Sequence, residues 1–188
     1  MNSKRSLLIV LPLVALLVAG CGQFGSNDSS GSHGMLSGIA DMARKKIAEQ
    51  NIEIGGDSGL PKAELTPQGD LLIDGRKIAA NANQHALLLK YRQLLESIAV
   101  EGVDVGVQGA NLAGKAVHEA LSSAVSGKSK DTEDRVKSDA EKVKASARTL
   151  CEKLPALLSS QQELAAALPE FRPYARMTAA DMKDCNAS

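Results

Sequence analysis

Apolar residues recur every three or four positions along most of the chain, the spacing that places them on one face of a helix. A first helix is predicted over Met35–Gln50. A second begins after Asn81, which has Gln84 three residues on, as in a capping box. Its apolar face is formed by Leu87, Leu88, Tyr91, Leu94, Leu95 and Ile98. The pattern predicts a mostly α protein built on a long helix and a helical hairpin.

The third helical region carries a heptad-like stripe in which apolar steps of four and three alternate. The stripe consists of Val136, Ala140, Val143, Ala147, Leu150 and Leu154. Because proline fits the first turn of a helix better than its interior, a new helix is predicted from Pro155. Its inward residues are Leu157, Leu158, Leu164 and Leu168. Thr178 and Asp181 predict the cap of a final short turn that carries Cys185.

A β element interrupts the helices. The dipeptide Asp74-Gly75 lies between the short segments Leu71–Ile73 and Arg76–Ile78, a strong signal for a type I′ hairpin. An isolated hairpin is marginally stable in water. We therefore expect a small antiparallel β-hairpin element that pairs with Glu64–Thr66 and lies on a helix.

The stretch from Gly102 to Val117 contains four glycines. Valines alternate as in a strand, but the alternation fails after Gln108. Helical steps of four and three run further, through Val103, Val107, Ala110, Gly114, Val117, Leu121 and Ala124. We therefore predict that the second helix continues through this stretch, although each glycine costs ~1 kcal/mol relative to alanine there.

Gly102, Gly106, Ala110 and Gly114 follow one another at intervals of four and form a glycine ridge. Small residues at this spacing let another backbone approach closely. Charged neighbours such as Glu101 disfavour a membrane span. Two interpretations remain: a tight crossing with a helix of the same molecule, or a surface for self-association or lipid contact.

The N-terminus is typical of an export signal. Lys4 and Arg5 precede Leu7–Ala19, a largely apolar segment too short for a spanning helix, which needs ~20 residues. The sequence VAGC at residues 18–21 resembles the lipobox of bacterial lipoproteins. The resemblance implies cleavage after Gly20 and lipidation of Cys21; the alternatives are an ordinary cleaved signal or an uncleaved anchor.

The residue after the cysteine bears on location. Gly22 stands where an Asp favours inner-membrane retention in many envelope lipoproteins, so we expect outer-membrane anchoring on the periplasmic face. The domains predicted are a signal peptide at 1–20, a lipidated Cys with a Gly/Ser/Asn-rich flexible tether at 21–34, and one mostly helical domain at 35–188 with the hairpin at about 63–79.

Composition agrees with packed helices. Apolar residues make up 44% of the chain and aromatics 2%, with no Trp, so the core must consist of aliphatic side chains. Basic and acidic residues number 22 each, and loss of the signal peptide removes two basic ones. The mature chain is then slightly acidic, which excludes an electrostatic nucleic-acid footprint.

Two cysteines remain in the exported chain, Cys151 and Cys185. An oxidising compartment favours a disulfide between them, which by the loop-entropy model adds roughly 3–4 kcal/mol of stability. A zinc site would need more Cys or His nearby, and a catalytic Cys would need a His partner.

Residues 69–95, GDLLIDGRKIAANANQHALLLKYRQLL, resemble the YggN-type family of bacterial cell-envelope proteins. The resemblance rests on Gly69, the Asp74-Gly75 turn, Gln84, Tyr91 and Leu95. It implies an envelope protein with a hairpin followed by helices. It brings no catalytic residues.

Candidate chemistry is sparse. His33, His85 and His118 are dispersed, and the sequence contains none of the common hydrolase, nucleotide-binding or zinc motifs. Gln84 and Tyr91 share a helix face and either line a small pocket or support the hairpin. We expect no enzyme activity, cofactor or metal.

The expected function is therefore a structural or interaction role of a lipoprotein in the cell envelope. Its predicted partners are the membrane, through Cys21, and an envelope protein or a second copy. The alternative is a periplasm-facing carrier of a small molecule or lipid.

Overall fold

The computed structural model describes residues 29–55, 59–126 and 130–186. Cys21, the signal peptide and residues 22–28 lie outside the described residues. The helices are α1 (Ser29–Glu49), α2 (Ala82–Ser126), α3 (Lys130–Ala167), a 3-10 helix (Pro169–Tyr174) and α4 (Ala179–Asn186). The strands are β1 (Ile52–Ile54), β2 (Ala63–Leu65), β3 (Leu71–Ile73) and β4 (Arg76–Lys77). The predicted fold class, mostly α with a long helix, a helical hairpin and a small antiparallel β element, is confirmed.

The two long helices, α2 and α3, form an antiparallel hairpin. Polar side chains pair across them in an antiparallel order: residue numbers rise along α2 as those of their partners fall along α3. The pairs are Lys90–Glu163 at 2.7 Å, Ser97–Lys153 at 2.8 Å, Gln108–Ser146 at 2.9 Å and Lys115–Asp139 at 3.1 Å. The glycine-rich stretch lies within α2, so its prediction as helix is confirmed.

Two helix boundaries differ from the predictions. Helix α1 begins at Ser29 rather than Met35, so residues 29–34 of the predicted tether are helical. A new helix at Pro155 was a wrong prediction, because α3 runs through that residue without a break. Proline removes one backbone donor, but Lys153 before it contacts α2 and Leu157 after it is buried, so packing holds the helix on both sides.

The sheet is a four-stranded antiparallel meander in the order β1-β2-β3-β4. Asp74 and Gly75 have φ angles of 52° and 70°, as a type I′ turn requires, so the predicted hairpin is confirmed. It pairs with β2 in the register Ala63↔Ile73. The remaining strand, β1, lies at the edge of the sheet and pairs with β2. It was not predicted as part of the sheet.

The core lies at one end of the helical hairpin. The sheet packs there against the first turns of α2, the last turns of α3 and the 3-10 helix. The buried residues are Ile54, Ala63, Leu65, Leu71, Leu88, Tyr91, Leu157, Leu164, Leu168, Phe171 and Tyr174. The inward orientation predicted for the four leucines after Pro155 is confirmed. Beyond this end, α2 and α3 continue as a two-helix arm.

Candidate interaction surface

The outer side of α2 in this arm presents an exposed face of small and apolar residues, here called the uncharged face. Its exposed members are Gly102, Gly106, Ala110, Ala113, Gly114, Val117 and Leu121. Val117 and Leu121 are 62% and 67% exposed. The face extends for about 30 Å at the helical rise of 1.5 Å per residue.

The charged residues of this part of α2 point away from the uncharged face. Asp104 pairs with Arg44 of α1, Glu101 pairs with Lys153 of α3, and Gln108 accepts a hydrogen bond from Ser146. Polar contacts, rather than the small residues, thus join α2 to its neighbours. Of the apolar positions at helical spacing in this stretch, Val103 and Val107 are half-buried, whereas Ala110, Gly114, Val117 and Leu121 are exposed.

The glycine ridge does not form a tight crossing within the described residues. A Cβ added at Gly106, Gly109 or Gly114 would meet nothing within 4 Å, and one at Gly102 would lie 3.9 Å from Leu150 Cδ1. The described residues therefore make no tight crossing at these glycines and leave this surface uncovered.

A charged cleft of about 380 Å³ lies between α2 and α3 near the far end of the arm. Asp139 lines the cleft and accepts hydrogen bonds from Lys142 at 2.9 Å and Lys115 at 3.1 Å. The hydrogen bond from Lys142, and after it the one from Lys115, holds the pKa of Asp139 below its usual value. The arrangement is an ion network that joins two helices, because each lysine is already satisfied by the carboxylate.

The predicted disulfide is present between Cys151 and Cys185, with Cα atoms 5.8 Å apart. It ties α4 to the middle of α3. The cap predicted for α4 is also present, because both the backbone N–H and the hydroxyl of Thr178 donate to Asp181, at 2.7 Å and 2.9 Å. The hydrogen bond from the Thr178 backbone N–H lowers the pKa of Asp181 most, and the bond from the Thr178 hydroxyl lowers it further.

The capping box predicted at the start of α2 is present. Asn81 N–H donates to Gln84 Oε1 at 2.8 Å, and Gln84 N–H donates to Asn81 Oδ1 at 2.9 Å. The Gln84 amide also donates to Ala167 O at 2.8 Å. It thereby joins the start of α2 to the end of α3.

Arg92 was not identified from the sequence. Its side chain is 2% exposed and donates to Leu65 O at 2.8 Å. It also donates to three carbonyls at the end of α1, those of Ile47, Ala48 and Gln50, at 3.0 to 3.2 Å. A signal was available, because Arg92 stands among apolar residues at helical spacing.

His85 and His118 do not converge. His85 Nε2 lies 2.9 Å from Gln68 O beside the sheet, whereas His118 lines the charged cleft in the arm. Among the residues that the structure describes, no group of three His, Cys, Asp or Glu side chains could hold a metal ion. No helix within the described ranges is long and apolar enough to span a membrane.

Comparison of the chain with protein-family models, curated proteins and solved structures finds no match. The resemblance to the YggN-type family stays a prediction from residues 69–95.

Proposed function

We propose that this protein is a lipid-anchored interaction module of the bacterial outer membrane, attached through Cys21 on the periplasmic side. The observation that supports an interaction role is the uncharged face of α2. A helix in a water-soluble arm ordinarily turns charged residues to solvent. Here the charged residues contact α1 and α3, and a continuous apolar surface is exposed instead.

The chemistry of this face suits contact with another helix. Glycine and alanine lose no side-chain rotamer freedom on packing and let helix axes approach closely. Val117 and Leu121 supply the larger apolar side chains, and burial contributes roughly 1.5–3 kcal/mol for each when complete. We propose a second copy as the occupant, because anchoring at one membrane raises the effective concentration of copies.

Association is tested by site-specific photocrosslinking of the full-length protein in cells. A photoreactive residue in place of Ala113 should give a dimer band, and Gly106→Leu should abolish it by blocking close approach. Ala140→Leu places the same leucine side chain at an exposed position of α3 and should leave the band intact. A crosslink to a different envelope protein would reject self-association and retain the interaction role, whereas no crosslink would reject both.

The anchor is tested separately by Cys21→Ser. Several acyl chains give stable membrane attachment, where one gives only marginal binding. The variant should therefore leave the membrane fraction and lose the mass of the acyl groups. An unchanged mass and unchanged fractionation would contradict lipidation at this residue.

A further inference from the structure

A second surface feature lies at the core end of the molecule, away from the uncharged face. It is a cleft of about 370 Å³ beside the edge strand β1. Ile54, Leu95, Tyr174 and Met177 contribute apolar walls, and Tyr91 and Arg176 contribute polar atoms. A mostly apolar cleft with a few polar groups is typical of a small-molecule site.

The Tyr91 hydroxyl has no hydrogen-bond partner among the described residues, although the side chain is only 5% exposed. Its ring is held edge-on to Phe171, with the centroids 5.3 Å apart. The hydroxyl oxygen is not among the buried side-chain atoms that lack a partner, so it is accessible from the cleft that Tyr91 lines. Burial raises the pKa of Tyr91 to about 12, so the hydroxyl stays protonated and can donate at neutral pH.

Other polar groups of the cleft are already occupied by the protein. Tyr174 donates to Pro61 O at 2.8 Å. The Gln161 amide donates to Met177 O at 3.0 Å and accepts from Met177 N–H at 3.1 Å. Tyr91 therefore differs from its neighbours in having a free donor.

The rim supplies a positive charge. Arg176 uses one N–H to donate to Gly55 O at 3.1 Å and has no carboxylate partner in the described part of the chain. Glu53, the acidic residue at the same cleft, lies 3.5 Å from Lys62 Nζ, which also bonds Glu64 at 3.0 Å, so its charge is only partly offset. Arg176 is therefore the group of the cleft that attracts an anion.

We propose that this cleft binds a small amphipathic carboxylate. The aliphatic body packs against Ile54, Leu95 and Met177, and the carboxylate accepts hydrogen bonds from Tyr91 and the Arg176 guanidinium. Arginine and carboxylate form strong, charge-assisted hydrogen bonds. This site is independent of the association surface and is where the described residues support the carrier alternative.

The test uses octanoate as the probe and the full chain labelled with 13C at its methionine methyl groups. Octanoate should bind saturably at one site, with a Kd on the order of 0.1–1 mM for a ligand of this size. The Met177 methyl signal should shift. Met42, which is exposed on α1, should stay unshifted and serves as the internal control. Octanol and octylammonium, which lack the carboxylate, should bind at least about tenfold more weakly.

Two variants locate the carboxylate. Tyr91→Phe keeps the ring and its contact with Phe171 and should weaken octanoate binding about tenfold, as should Arg176→Gln. Arg148→Gln, at an exposed position of α3 outside the cleft, is the matched control, and its affinity should change less than about twofold. Thermal unfolding of each variant establishes that it folds. Absence of saturable binding, or equal affinity in all three folded variants, would overturn the proposal.

Discussion

Ser160 carries a polar atom that the core does not satisfy. The residue is fully buried, and its Oγ has no hydrogen-bond partner among the described residues. The adjacent Gln161 is also buried but bonds to Met177 through both ends of its amide. An unsatisfied buried donor or acceptor costs about 1–3 kcal/mol, so the Ser160 hydroxyl lowers the free energy of unfolding.

Ser160→Ala should therefore raise the free energy of unfolding by about 1 kcal/mol, because it removes the orphan hydroxyl and leaves only a small void. Urea unfolding with the disulfide intact measures the change. Ser159→Ala at the exposed neighbouring position should alter stability by no more than about 0.5 kcal/mol. Destabilisation by Ser160→Ala would show instead that the hydroxyl contributes a favourable contact.

Two glycines of the sheet have similar backbones but different surroundings. Gly69 has φ +80°, and a Cβ there would lie 2.5 Å from Leu89 Cδ2 and Cγ. Gly75 has φ +70° and would meet nothing within 4 Å. Gly75→Ala should cost ~1–2 kcal/mol from the left-handed backbone alone.

Gly69→Ala should cost roughly 1–3 kcal/mol more than Gly75→Ala, because overpacking against Leu89 adds to the same backbone penalty. Parallel denaturation curves compare the two variants. Equal losses would mean that Leu89 moves aside at negligible cost.

At the scale of elements, Arg92 connects three parts of the fold. Its guanidinium satisfies carbonyls at the C-terminus of α1 and one in β2, although it belongs to α2. A cation is favourable at a helix C-terminus because of the helix dipole and the unpaired carbonyls there. This contact helps to hold α1 on the rest of the molecule.

Arg92→Met keeps an apolar stem of similar length and removes the donors, and it should destabilise the protein by about 3 kcal/mol or more. The last turn of α1 should lose protection in hydrogen exchange before the rest of the core does. Arg148→Met, at an exposed position of α3, is the matched control and should change stability by less than about 0.5 kcal/mol. Uniform loss of protection across the fold would contradict a specific role in capping α1.

Elements specified by neighbouring residues were predictable from the sequence. The Asn81–Gln84 capping box and the Asp74-Gly75 turn act within a few residues, so their signals are local. Pro155 was misjudged because contacts with α2, distant along the chain, hold α3 through it. Strand β1 depends on pairing with β2, and its three residues are too few for a reliable alternation.

For the two candidate surfaces, too, features set by sequence spacing were predictable, whereas features set by contacts between distant residues were not. The spacing of the glycine ridge was visible in the sequence, but the side of α2 that faces the molecule was set by partners such as Arg44 and Lys153. The Tyr91 cleft depends on four elements meeting around one hydroxyl. Sequence spacing could place Tyr91 on an apolar helix face but could not show that its hydroxyl lacks a partner.

At the scale of the whole molecule, the core and the disulfide lie in different places. The buried residues gather at one end of the helical hairpin, whereas Cys151 lies on α3 before the four buried leucine positions. The Cys151–Cys185 bond closes a segment with a sequence separation of 34 residues. That segment contains the end of α3 and the 3-10 helix, both of which supply core residues, so the bond limits how far these parts can separate on unfolding.

Reduction of the disulfide should lower the free energy of unfolding by about 3–4 kcal/mol, the value that loop entropy gives for a closed segment of this length. Thermal unfolding with and without reductant measures the loss, and hydrogen exchange should show α4 opening first, because α4 is joined to α3 through Cys185. A Cys151→Ser, Cys185→Ser double variant should resemble the reduced protein and be insensitive to reductant. If both cysteines of the native protein react with an alkylating agent before reduction, the bond does not form in solution, and the stability of α4 must depend on the Thr178 cap and the contacts of Met177.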